Sequence, residues 1–182
     1  MALGDVSNIG AVTETLSGLL TGLDVVLDSP ADLKFTDQNF QKINLYLYQV
    51  LEHPYTKNQP MYATDDGILE FPPLTLKLCY LLTPYASDPV SAHKVLGHAM
   101  SVFYDNAIVQ EDRLLESLRL SVDKLSIVLI SSKLEELTRI WNALQTPYRL
   151  SVAYEVRVVP IESNRNEKVV RTRMSSSLYE TL

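Results

Sequence analysis

The residues of this 182-residue chain whose types and spacing first invite a metal or nucleophilic reading are His53, His93 and His98, the lone Cys79, and the adjacent pair Asp65 and Asp66. A helical zinc site uses histidines four residues apart, because that step returns to the same face. His93 and His98 are five apart, which turns the second about 140° around a helix axis from the first. They read as structural or solvent-facing histidines. Asp65-Asp66-Gly67 is a turn sequence more readily than an acid pair or the edge of a calcium site. Cys79 lies in the apolar run Leu74 to Leu82; as a nucleophile it needs a base that the sequence does not reveal, whereas as a small core residue it needs nothing. There is no GxSxG elbow, P-loop or GxGxxG fingerprint, and the six glycines never cluster, so no phosphate-cradling loop is in view. No catalytic, metal or cofactor-binding set emerges.

Composition narrows the class further. The chain is 46% hydrophobic and 21% charged with a net charge of -6, a balance that suits one folded domain and opposes a phosphate-dominated nucleic-acid mode. The first ten residues, MALGDVSNIG, lack the basic start and apolar core of a secretory signal, and no run nears the roughly 20 apolar residues of a membrane helix. With one cysteine unable to pair internally, the expectation is a chain that is cytoplasmic when synthesised. Ten tyrosines suit half-buried sheet faces and protein interfaces.

The elements follow from periodicity. Asp5 or Ser7 caps a first helix with Ile9, Val12, Leu16, Leu19 and Leu20 as its apolar face, ended by Gly22. Leu23 to Leu27 reads as a short edge strand before Asp28-Ser29-Pro30, and Pro30 to Asn39 as a polar loop. Gln41 to Leu51 is a strand with Ile43, Leu45, Leu47 and Leu51 on one face and Lys42, Asn44, Tyr46, Tyr48 and Val50 on the other. His53 to Pro73 lacks periodicity and is rich in turn residues, which predicts a long loop. Leu74 to Leu82 alternates as a strand, and Asp88-Pro89 starts a helix buried through Val95, Leu96, Ala99, Val102 and Phe103. Glu111 to Leu118 adds a short helix and Leu125 to Ile130 a strand. Ser132 and Glu135 form a capping box for a helix carrying Leu134, Leu137, Ile140, Trp141 and Leu144, which Pro147 stops. Then Leu150, Val152, Tyr154, Val156 and Val158 alternate with Arg149, Ser151, Ala153, Glu155 and Arg157 as a strand with one buried face. The expected fold class is α+β, a single domain over residues 1–161 with a polar C-terminal tail or arm over 162–182.

The wording of several blocks carries more than their periodicity. DVSNIGAVTETLSGLL, INLYLYQVLEHPYTKN, PPLTLKLCYLLTPYASD, AHKVLGHAMSVFYDN and above all LEELTRIWNALQTPYRLSVAYEVRVVPI occur in this order over most of residues 1–161. Together they resemble the cap, or tail-terminator, proteins of phage-tail-like contractile injection systems. The resemblance implies a mixed, mainly antiparallel sheet flanked by helices, assembled as a homohexameric ring at the distal end of a contractile tail. There it would end polymerisation of the inner tube protein and hold the last layer of the sheath protein, with no cofactor, no nucleic acid and no direct membrane insertion. Longer relatives continue beyond the core domain, whereas this chain ends about twenty residues after Ile161.

Termination of a polymer calls for a ring with one face matching the last layer and another that does not repeat it. In the arm, KVVRTRM is short and β-compatible, so Arg165, Lys168, Val169, Val170, Arg171 and Arg173 are candidate interface residues, with strand addition to a neighbour's sheet as the mode. An arm unstructured in every state is the competing expectation. Two other functions stay open: an adaptor docking cargo or a membrane anchor through residues 53–73, and a small enzyme with an unrecognised site.

Overall fold

The structure is a computed structural model that describes residues 8–35, 40–54, 60, 62–63, 68–70, 74–119, 122, 124–161 and 166–168. Helix α1 (Asn8–Leu19) leads into strand β1 (Asp24–Val26), and β2 (Gln41–Glu52) follows. After β3 (Tyr62–Ala63) and β4 (Ile68–Glu70) come the long β5 (Leu74–Ala86), helix α2 (Pro89–Asp105) and β6 (Ile108–Gln110). A 3-10 turn (Glu111–Arg113), helix α3 (Glu116–Arg119), β7 (Lys124–Ile130), α4 (Leu134–Ala143), β8 (Val152–Ile161) and β9 (Asn166–Lys168) complete the order.

Six strands form one sheet in the order β1-β2-β5-β8-β7-β6, antiparallel except for the β1-β2 pair. The expected mixed, mainly antiparallel α+β fold is what the chain adopts. Register explains how the sheet divides its side chains: opposed residues point to the same face. Leu45 opposes Leu82, Tyr80 opposes Tyr154, and Leu78 opposes Val156, which in turn faces Ile127. All belong to a core that also takes Val12, Leu16 and Leu20 of α1 and Val95, Leu96, Ala99 and Phe103 of α2. The helical stripes expected from three- and four-residue spacing are buried or half-buried on α1 and α2; on α4 Leu137 and Trp141 are buried, but Leu134, expected on the same stripe, is 62% exposed at the first turn. The Phe103 and Tyr154 rings meet edge-on at 5.1 Å, the favoured arrangement of two aromatic quadrupoles.

Leu81 and Ala153 oppose each other on the second face, under Leu137 and Trp141 of α4. So β8 does not have one buried face, as alternation predicts, but two: Ala153 and Glu155 are buried alongside Tyr154 and Val156, and just before the strand Ser151 is buried while Leu150 is exposed. The cause is position, since β8 is central and covered by helices on both sides.

Two bulges also correct the alternation. In β2, Leu47 opposes Tyr80 and Gln49 opposes Cys79, so Tyr48 is an extra residue. Beyond it the faces swap, and Val50 joins the face of Leu78 while Leu51 joins that of Lys77, the reverse of strict alternation. In β8, Val159 opposes Leu76 and Arg157 opposes Lys77, leaving Val158 extra.

Helix ends follow the chemistry of their first residues. Asp88 accepts from the Ser91 N–H at 2.9 Å and Pro89 takes the first helical position, where its missing N–H costs nothing. At α4 the cap lies one residue later than expected: the Glu136 carboxylate accepts from the Lys133 N–H at 3.2 Å, in place of the Ser132–Glu135 pairing. Residues 53–73, expected as a loop, contain β3 and β4, a two-stranded hairpin extended by β9 into a three-stranded sheet. Strands this short carry no periodicity from which to read them.

Candidate assembly surfaces

The residues first considered for chemistry do not converge. His93 and His98 are both exposed on α2, and among the described residues no group of three or more His, Cys, Asp or Glu side chains is placed to hold a metal. Asp65 and Asp66 lie outside the described residues. Cys79 is buried on β5; burial pushes its thiol up, with Glu155 adding to the effect and Lys77 and a Tyr48 hydrogen bond opposing it. A thiol held protonated is no nucleophile.

Of the candidate arm, Lys168 lies in β9, opposite Ile68 of β4, with Glu167 opposite Leu69. Arg165, Val169, Val170, Arg171 and Arg173 lie outside the described residues. Among the described residues no helix is long and apolar enough to cross a membrane.

Three surface features stand out instead. The first is an ion cluster on the second sheet face. Glu155 is 8% exposed and lies opposite Cys79, with Lys77 Nζ 3.0 Å from its Oε2 and Arg157 paired to its Oε1. Burial alone raises the carboxyl, but hydrogen bonds from Lys77 and Arg157 and their charges outweigh it and hold the group below its ordinary value. In sequence Glu155 and Arg157 look like solvated strand positions. Only the pairing of β5 with β8 brings Lys77 to Glu155.

The second feature is a groove of about 460 Å³ between β2 and α4, lined by Tyr46, Tyr48, Arg139, Ile140 and Leu144 among others. Tyr48, the extra residue of the β2 bulge, is part of this wall. The third is an apolar patch where α2 ends beside β7: Tyr104 is 83% exposed and Leu129 47%, and both line one hollow. A shallow cavity of about 150 Å³ beneath it reaches Phe103 and Tyr154. Exposed apolar patches of this kind mark contact sites.

The architecture that carries these surfaces is shared with solved structures. The PVC sheath/tube terminator in the extended state, part of an extracellular contractile injection system solved by cryo-EM, superposes with a TM-score of 0.67 at 21% identity over 96% of this chain and 64% of that one. The anti-feeding prophage cap, a tube-terminating cap, does so with a TM-score of 0.63 at 20% identity over 93% of this chain and 59% of that one. The chain thus spans about three fifths of the length of each. No curated protein matches the sequence. The sequence model of the Pvc16 N-terminal domain matches residues 10–172, well over half of the chain and both sheets with it, and the chain belongs to the Pvc16 N-terminal domain family.

Proposed function

We propose that this chain is a structural cap, or tail terminator, of a contractile injection system, acting by surface matching and not by catalysis. The observation that carries this reading is the family match over residues 10–172 on a fold shared with a sheath/tube terminator over 96% of the chain. Residues 1–161 form the terminator domain and residues 162–182 an arm. Copies close into a homohexameric ring whose one face binds the last layer of inner tube protein and whose other face does not repeat that surface, so addition stops. The same ring holds the last layer of sheath protein. The arm residues Arg165, Lys168, Val169, Val170, Arg171 and Arg173 contribute to that hold. The protein is cytoplasmic when synthesised.

Tube protein polymerised with and without the purified chain tests the reading. Electron microscopy should show shorter tubes with a ring at one end, in proportion to the chain added. Unchanged tube lengths with bare ends would refute it. Truncation after Ile161 should leave rings and tube ends intact while weakening sheath attachment; unchanged attachment removes the arm's part in it.

A further inference from the structure

We infer that neighbouring copies in the ring meet by seating the apolar patch around Tyr104 of one copy in the tyrosine-lined groove of the next, with Asp105 facing Arg139. The inference rests on the ring reading and specifies its contact.

A closed ring of identical chains needs two different, mutually complementary surfaces on opposite sides of each chain. The patch and the groove have that placement. Tyr46 belongs to β2 and Leu129 to β7, and the strand order puts β1 and β2 at one edge of the sheet and β7 and β6 at the other. They also lie on opposite faces: Leu129 opposes Tyr154, a member of the α1–α2 core, whereas Tyr46 opposes Leu81 beneath α4. A contact from one edge and face to the other edge and face repeats head to tail and does not close on itself as a pair.

Shape and chemistry match as well. Tyr104 stands 83% exposed at the end of α2, and the groove, about 460 Å³ with Tyr48, Ile140 and Leu144 in its wall, has room for a ring of that size. Burying an exposed tyrosine and its apolar neighbours in a preformed groove is the usual source of a binding hot spot. Asp105 follows Tyr104 in the chain and is exposed, and Arg139 lines the groove. Neither has an ion pair among the described residues. Their opposite charges fix the orientation of the docked copy and disfavour the reversed one.

Tyr104→Asp and Arg139→Asp change exposed positions, so both variants should keep the wild-type circular dichroism melt. Each should lower self-association by about tenfold or more in analytical ultracentrifugation of the full chain. Mixing the two variants is the decisive arm. Each mixed pair retains one intact contact, Tyr104 of the groove variant in the groove of the patch variant, so the mixture should yield dimers and no rings. Asp105→Arg combined with Arg139→Asp should restore rings. Rings that persist in both single variants, or a mixture that stays monomeric, overturn this contact while leaving the ring reading in place. Single variants that keep rings but no longer shorten tubes assign the groove to tube protein and overturn it too. A wild-type chain that is monomeric both free and on tube ends removes the ring reading and this contact with it.

Discussion

The Trp141 indole N–H donates to the Ser151 hydroxyl at 3.0 Å, and Ser151 in turn donates to the Arg149 carbonyl at 3.2 Å. This short chain ties the last turns of α4 to the entry of β8 across the turn at Pro147. Trp141 is among the largest fully buried side chains, and an unsatisfied indole N–H there would be costly. Trp141→Phe should therefore destabilise the fold by about 2 kcal/mol through lost packing and the lost bond, and Ser151→Ala by about 1 kcal/mol. Urea unfolding followed by circular dichroism measures both. The double variant should cost less than the sum, because the second change removes a bond already gone.

Glu155 sets an acid limit on the fold. Its carboxyl is held below the ordinary 4.5 by Lys77 and Arg157 against the opposing effect of burial. A folded-state value below the unfolded one adds stability that is complete above about pH 4.5 and is lost as pH falls through the folded value. Wild-type thermal midpoints should thus fall steadily below pH 4.5, while Glu155→Gln starts about 1–3 kcal/mol lower at neutral pH and declines less steeply in acid. Equal acid slopes for the two proteins would show that the cluster is not the source.

Tyr80 sets the corresponding limit in alkali. Its hydroxyl lies 2.8 Å from Thr13 Oγ1, and Thr13 gives its proton to the Ile9 carbonyl at 3.1 Å, so Tyr80 is the donor of the pair. Burial pushes the phenol up from 10.0 to about 12. A raised value keeps its stabilisation below pH 10 and loses it as pH rises toward 12, because the unfolded phenol ionises first. The loss is about 2–3 kcal/mol. Tyr80→Phe should cost about 1 kcal/mol at neutral pH and show a shallower alkaline decline by absorbance-monitored unfolding.

Two left-handed residues offer a matched pair of opposite sign. Gly22 has φ 91° after α1, and an added Cβ would meet nothing within 4 Å, so the cost of Gly22→Ala is conformational alone, about 1 kcal/mol. Gln145 has φ 55° after α4, where glycine is the preferred residue. Gln145→Gly should stabilise by up to about 1 kcal/mol. Denaturant midpoints of the two variants should move in opposite directions.

Elements with strong local signals were legible in the residues. Asp88-Pro89 marks the start of α2, and Val95, Leu96, Ala99 and Phe103 lie buried on it as their spacing predicts. Capping and helical periodicity act within one or two turns, so nearby residues suffice. Leu51 on the wrong face, the second buried face of β8 and the β3–β4 hairpin were not legible. The bulge at Tyr48, the central place of β8 and two very short strands depend on partners far along the chain. The surfaces behaved likewise: in sequence Tyr104 is an ordinary position near the end of α2 and Arg139 an ordinary charged position of α4, and neither announces a contact.

By itself the sequence determined where helices and long strands form, which stripes α1 and α2 bury, and through its wording the family to which it belongs. These properties reside in consecutive residues, where backbone geometry sets the period. Tertiary structure decided the strand order, the faces beyond each bulge, the burial of Glu155 between Lys77 and Arg157, and the separation of the Tyr104 patch from the Arg139 groove. Those depend on which distant segments hydrogen-bond and pack together, and the opposite edges of a sheet exist only once all six of its strands have found their neighbours.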